Sequence, residues 1–324
     1  MLIFLARRLA SAALMLFLVF TFTFFLVHLA PGEPALLYSD PRISEAARDA
    51  MREIYGWDRP LLEQYARWLG ATLSGDWGIS VSHSRPVLEV ILGRMGPTAL
   101  LVLTAVAVEH AVGIALGVLA ARRAGGVFDR MASSLALTVH SLPSFVLALV
   151  AIEWLAVKLP IFPAQHMTSL DFASLPLWAQ ALDLAHHLAL PALVLGLARC
   201  GAVVRFVRNG MLEVLGQDYV RTARAKGLSE ARVLCLHALP NVCGPLIQRL
   251  GLSLPALLSG VLVLEILFSW PGLGTAVYQA ILQRDYPVML ASTALTGFMV
   301  VAGTLVADAA HGWLDPRVRE SVGS

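Results

Sequence analysis

The sequence predicts an all-α polytopic membrane protein with six transmembrane helices and a small external domain between the first and second. Three observations predict it. Of the 324 residues, 57% are hydrophobic and 14% charged, with mean hydropathy +0.72, values far outside those of a soluble domain of this length. The apolar residues gather into runs of roughly 20 or more, enough to cross a hydrocarbon core of about 30 Å. Arginines cluster at alternate ends of those runs, the bias that marks cytoplasmic loops. A net charge of +2 is too small to argue for nucleic acid. The three cysteines, Cys200, Cys235 and Cys243, are an odd number without metal-ligand spacing and read as small buried apolar side chains.

Residues 1–30 comprise a cytoplasmic N-terminus, held by Arg7 and Arg8, and the first span, Leu9 to Ala30. The length of that run, and His28 close to its end, argue against a cleaved signal peptide. Pro31-Gly32-Glu33-Pro34 ends the helix. Residues 31–96 alternate acids and bases and form the external domain. Within it Ser44 to Tyr55 has helical composition behind a capping serine. Pro60 to Leu73 places Leu61, Leu62, Tyr65, Trp68 and Leu69 on one face of a second helix. Trp57, Trp68 and Trp77 read as this domain's own core.

Residues 97–311 hold five more spans. The second, Thr98 to Ala121, is closed by Arg122 and Arg123 and carries Gly113 and Gly117 at the small-x-x-x-small spacing of close helix pairs. The third, Ala132 to Val157, is expected to kink at Pro143. A polar outer loop, Ile161 to His187, leads to the fourth, Leu188 to Val207, which ends at Arg205 and Arg208. The fifth, Val242 to Phe268, is interrupted by Pro245 and Pro255. An outer stretch with a short helix containing Arg284 and Asp285 precedes the sixth, Pro287 to His311. Residues 312–324 form a tail, so both termini are expected in the cytoplasm.

The longest polar interruption of the second half is the loop 209–241. Its bases Arg221, Arg224, Lys226 and Arg232 outnumber its acids, which predicts a cytoplasmic position. Alanines around Thr222 to Lys226 and a stop at Gly227 predict a helix, a turn and a second helix ended by Pro240.

No H-E-x-x-H or G-x-S-x-G motif occurs, and the two lysines, Lys158 and Lys226, are followed by Leu and Gly, so there is no phosphate loop. The chain therefore offers no catalytic residues, no metal site and no cofactor site of its own. Polar groups within spans are costly and usually face a cavity or one another. Glu109, His110, His140, Arg199 and Arg249 are candidates to line a translocation path, each with the competing reading of an interhelical bond or a snorkelling side chain. Glu153 and Glu265 lie near outer ends, where water can reach them. The adjacent His186 and His187 read as interfacial residues before metal ligands.

The loop resembles the coupling loop of permease subunits of binding-protein-dependent ABC importers, whose pattern is E-A-A, three residues, Gly, nine residues, Ile, one residue, Leu-Pro. Ala223, Gly227, Leu239 and Pro240 match, while Arg221 and His237 stand at the Glu and Ile positions. The longer string D-Y-V-R-T-A-R-A-K-G-L, Asp218 to Leu228, with H-A-L from His237, is similar to the dipeptide/oligopeptide permease family. So are E-I-L-F-S-W-P-G-L-G at Glu265 to Gly274, R-D-Y-P at Arg284 to Pro287 and L-D-P-R-V-R at Leu314 to Arg319. In the external domain D-R-P-L, Q-Y-x-x-W-L and G-D-W-G-I-S resemble the "B" member of the permease pair.

This resemblance implies the type I ABC importer permease fold and transport of di- or oligopeptides across a bacterial inner membrane. It implies a heterodimer with a second homologous permease, two ATPase subunits that use ATP-Mg, and an extracytoplasmic solute-binding protein. The coupling residues it implies are Asp218, Tyr219, Arg221, Thr222, Ala223, Arg224, Ala225, Lys226, Gly227, His237, Leu239 and Pro240. Ala223, Ala225 and Gly227 would allow close approach to the ATPase, and Arg221, Arg224 and Lys226 would pair with its acids. A nickel importer of the same family is the alternative, kept open by His166, His186 and His187. A polytopic enzyme using Glu109, His110 and His140 is the distant one, with no complete catalytic arrangement behind it.

Overall fold

An apolar run in hydrocarbon has one economical backbone state, the α-helix, in which every N–H and C=O is paired within the segment. The computed structural model describes residues 2–29, 56, 58–242, 244, 246 and 261–314, and its regular structure is helical apart from one isolated bridge between Ile79 and Pro86. In chain order the helices are α1 (Leu2–Leu29), α2 (Leu61–Leu73), α3 (Val87–Arg122), α4 (Val127–Ser141), α5 (Ser144–Ala151), α6 (Leu177–Leu215), α7 (Asp218–Ala225), α8 (Glu230–Arg232), α9 (261–267), α10 (Leu273–Leu282) and α11 (Tyr286–Leu314). Wider π-helical turns prolong α5 through Ile152–Lys158 and α8 through Val233–Ala238.

Among the described residues α1, α3, α6 and α11 are long and apolar enough to cross a membrane, and the bent pair α4–α5 makes a fifth span if counted as one. Four or five of the six expected spans are thus seen among the described residues. The expected fifth, Val242 to Phe268, falls largely outside the described residues, as do the expected helix Ser44 to Tyr55 and Trp57. Two helices start earlier than expected: α3 at Val87, within the stretch assigned to the external domain, and α6 at Leu177, within the stretch assigned to the outer loop.

The third span is broken rather than kinked. α4 stops at Ser141, Leu142 is extended with φ −80° and ψ 138°, and α5 restarts behind Pro143. The two segments lie at 103°. A proline ring disfavours the α conformation at the residue before it, and at Leu142 that preference prevails. Pro97 and Pro191 are instead carried inside the continuous helices α3 and α6.

The chain forms two compact units, one built on Ala99–Trp270, the other on Leu2–Thr98 with Pro271–Val301. In the first, α6 is the axis. A Cβ placed on Gly113 of α3 would fall 2.5 Å from Val203 Cβ, and one on Gly117 would fall 2.7 Å from Val207 Cβ. Only glycine allows that approach, as the spacing of the pair predicts. Gly196 of α6 answers from the other side, where a Cβ would fall 2.7 Å from the Ala105 carbonyl oxygen, and Gly201 makes the same room for the Ala136 carbonyl of α4.

In the second unit Trp68 and Trp77 do not make a core apart from α1. Trp68 and Trp77 pack edge-on against Phe20 of α1, and Trp68 and Tyr65 lie against Phe24. Leu61, Tyr65 and Trp68 face α1, whereas Leu62 is 73% exposed and off that face. So short a segment encloses little apolar surface by itself, and the aromatic end of α1 supplies what it lacks. Arg284 and Asp285 lie in the turn between α10 and α11, not in a helix. The Asp285 carboxylate is buried and accepts bonds from Ser80 Oγ at 2.7 Å, Ser82 N at 3.0 Å and Ser82 Oγ at 2.6 Å. The G-D-W-G-I-S and R-D-Y-P stretches are therefore two sides of one contact.

Gly113→Leu should destabilise the bundle by about 1–3 kcal/mol through overpacking. A lowered Tm in detergent checks it, and Val203→Ala in the same chain should recover part of the loss.

Candidate coupling site

The hairpin begins with the shortest helix that can bury one face. α7 turns Val220 and Ala223 inward, where they meet Val233, Val214, Leu215 and Leu228. It stops because Gly227 takes φ +74°. The N–H of Gly227 then donates to the Arg224 carbonyl at 2.9 Å and that of Leu228 to Ala223 at 3.4 Å, the paired bonds of a Schellman closure. Nothing lies within 4 Å of where a Cβ on Gly227 would sit. Glycine is needed there for its backbone freedom and not for space.

The second limb runs on past Pro240. In its π-helical turn the N–H of Leu239 reaches back to the Leu234 carbonyl, and helix continues through residues 239–242. Pro240 was expected to end this helix; it does not. Opening the ladder by one residue gives the ring room against the carbonyl it would otherwise strike. Leu234, Ala238, Val242 and Leu246 pack with Ala121 of α3 and with Val203, Val207 and Met211 of α6. The hairpin's second limb is thus packed into the bundle, and His237 and Leu239 are part of that limb.

One fork of charge closes the hairpin: Arg224 Nη2 and Nε donate to Glu230 at 2.8 and 3.2 Å. The Arg224 hydrogen bonds, helped by the charges of Arg224 and Arg122, hold the Glu230 carboxyl below its ordinary value. Both side chains are part-exposed, so the pair contributes about 0.2–1 kcal/mol. Arg221 lies 3.2 Å from Asp218, with both side chains largely in solvent. Ala223 is 5% exposed and serves the hairpin's interior. Tyr219, Arg221, Thr222, Ala225, Lys226, Gly227 and Pro240 form the open surface, while Arg224 is engaged within the hairpin.

A second ionic contact lies nearby. Arg208 of α6 grips Asp129 of α4 with two parallel bonds, Nε to Oδ1 at 2.5 Å and Nη2 to Oδ2 at 2.7 Å. Gly125 N adds a third at 2.8 Å, and Ser133 Oγ lies 3.4 Å away. The Asp129 side chain is 3% exposed and that of Arg208 25%, so the pair is buried at its acidic end and reaches solvent at its basic end. Sequence alone does not join residues this far apart. The one signal is an acid standing among Arg122, Arg123 and Arg130.

Residues 1–102 match the family model described as "Binding-prot-dependent transport system membrane comp, N-term", and residues 113–320 the one described as "Binding-protein-dependent transport system inner membrane component". The chain belongs to this binding-protein-dependent permease family. It is accordingly a multi-pass inner-membrane component of a transport system. The oligopeptide transport system permease protein AppB of Bacillus subtilis is 39% identical over 297 residues, 91% of this chain and 92% of that one. The dipeptide transport system permease protein DppB of Escherichia coli K12 is 35% identical over 98% of this chain and 99% of its own. An inward-facing structure of the MetNI methionine ABC transporter superposes with TM-score 0.57 at 17% identity, covering 72% of this chain and 99% of that one. That likeness supports the permease fold.

Inside the permease, the polar candidates mostly face protein. Glu109 and His110 are 2% and 7% exposed, and His110 Nδ1 bonds the Val106 carbonyl of its own helix at 3.0 Å. His140 Nδ1 reaches from α4 to the Ala198 carbonyl of α6 at 3.0 Å. Arg199 is part-buried on α6, and Arg249 lies outside the described residues. Glu265, expected to be wet, is fully buried; Glu153 is half-exposed and 3.3 Å from Lys158. His186 and His187 bond the carbonyls of Ile161 and Asp183 at 2.7 and 2.9 Å. The backbone N–H of His166 donates to the Phe268 carbonyl at 2.8 Å. No group of three His, Cys, Asp or Glu able to hold a metal ion occurs among the described residues.

Gly227→Pro should abolish uptake by the assembled transporter with membrane insertion unchanged, since proline cannot reach φ +74°. Gly227→Asn should keep most activity, and normal substrate-stimulated ATPase in the proline variant would count against this role. The Glu230 carboxyl is depressed on folding, so its contribution is present above its ordinary value of 4.5 and fades as pH falls through the lower folded value. Glu230→Gln should remove that acid-side dependence, measured by amide exchange across the hairpin.

Proposed function

We propose that this permease is a subunit of an ATP-driven importer that carries di- and oligopeptides across the bacterial cytoplasmic membrane. The observation that carries the reading is similarity along nearly the whole chain, external segment included, to relatives named for oligopeptide and dipeptide transport. In this reading both termini and the hairpin are cytoplasmic. The hairpin seats in a groove of one of two ATPase subunits, with Arg221, Lys226 and Tyr219 at the contact. ATP and Mg²⁺ belong to those subunits, because this chain carries no phosphate loop.

Closure of the ATPases moves the hairpin, which is packed against α3 and α6, and so drives the spans between inward-open and outward-open states. A second homologous permease completes the pore. The face bearing Ser80, Ser82 and Asp285 lies outside, where a solute-binding protein delivers its cargo. Peptide recognition rests largely with that binding protein.

Proteoliposomes holding the full complex should take up labelled dipeptide only with ATP inside and binding protein outside. Uptake of Ni²⁺ in place of peptide, or copurification without any ATPase, would overturn the reading.

A further inference from the structure

The carboxylate of Asp129 binds more of the molecule than its own helix requires. Its donors from outside α4 are Arg208 of α6, with two parallel bonds, and the backbone of Gly125, in the turn that follows α3. One buried group therefore ties together the ends of α3, α4 and α6. Arg208 stands about two helical turns before α6 passes into the hairpin. Ala121 of α3, Met211 of α6 and Leu234 and Ala238 of the hairpin share one apolar cluster, so the hairpin, α3 and α6 are joined by packing as well. At its other end α4 meets the break at Leu142–Pro143, beyond which α5 departs at 103°. α4 is thus held to α6 in its first turn by this fork, at Ala136 by the fit of Gly201 and at His140 by a bond to the Ala198 carbonyl, and it is broken after its last residue.

We propose that the Asp129–Arg208 pair is the strut through which hairpin movement enters the membrane. α6, displaced with the hairpin, carries α4 through this ion pair, and α4 swings α5 about Leu142–Pro143. A two-bond fork fixes the relative orientation of the two helices at that end as well as their distance. Asp129 and Arg208 are positioning residues and touch no solute. The inference rests on the importer reading.

The test uses the assembled transporter with its ATPases in nanodiscs and its native cysteines replaced. Spin labels on Leu135→Cys of α4 and Leu149→Cys of α5, both on exposed positions, report the angle across the break. The parent should change label separation between nucleotide-free and ATP-bound states. Asp129→Asn should abolish that change and lower solute moved per ATP at least tenfold while ATP hydrolysis continues. Arg208→Lys, which keeps the charge and loses the fork, should be intermediate. Exchanging the two residues, Asp129→Arg with Arg208→Asp, should restore coupling. A wild-type separation change and transport ratio in Asp129→Asn would overturn the strut, as would a parent whose labels do not move. If Asp129→Asn does not assemble, the same wild-type values in Arg208→Lys overturn it. Labels that move in a parent taking up no peptide would overturn the peptide reading and leave the strut standing.

Discussion

Helices surrounded by lipid gain nothing from the hydrophobic effect when they pair, so contact has to come from close van der Waals fit. α6 meets that constraint with glycine on two of its faces. Gly196 receives the backbone of α3 and Gly201 that of α4, while its Val203 and Val207 fill the hollows left by Gly113 and Gly117. The arrangement places α6 deep in the first unit, and the other parts take their positions from it. The hairpin's second limb lies along Val203, Val207 and Met211, Arg208 fixes the start of α4, and His140 bonds a carbonyl of α6.

Much of this architecture is legible in the sequence because the bilayer leaves few alternatives. Apolar length locates α1, α3, α6 and α11, and the glycine spacing on α3 locates one of the tightest crossings. Proline is where local reading fails. Pro97 and Pro191 sit in unbroken helices, Pro143 ends one, and Pro240 is absorbed by a widened turn. A ring's clash with the preceding turn is the same each time. Whether helix, break or π turn relieves it depends on neighbours distant in the chain. The aromatic residues between α1 and α3 illustrate the same limit: their composition suits a core, but the surface that completes it is α1.

At the candidate coupling site the turn is readable from Gly227. Less legible is the division of labour within the motif. Spacing treats Ala223 and Ala225 alike, yet one faces inward and the other outward. Arg224 carries the same charge as Arg221 but closes the hairpin through Glu230. Asp129 lies further still from local reading, because its partner arrives only after α5 and a loop have intervened.

The break at Pro143 also bears on how the protein enters the membrane. α4 has 15 residues, about 22 Å of helix, too short to cross a hydrocarbon core of about 30 Å alone. The chain at Leu142 is non-helical, with carbonyls that lipid cannot satisfy. α4 and α5 both pack on α6, which is synthesised after them. The halves of this span therefore find their packing partner only in a helix that is made after them.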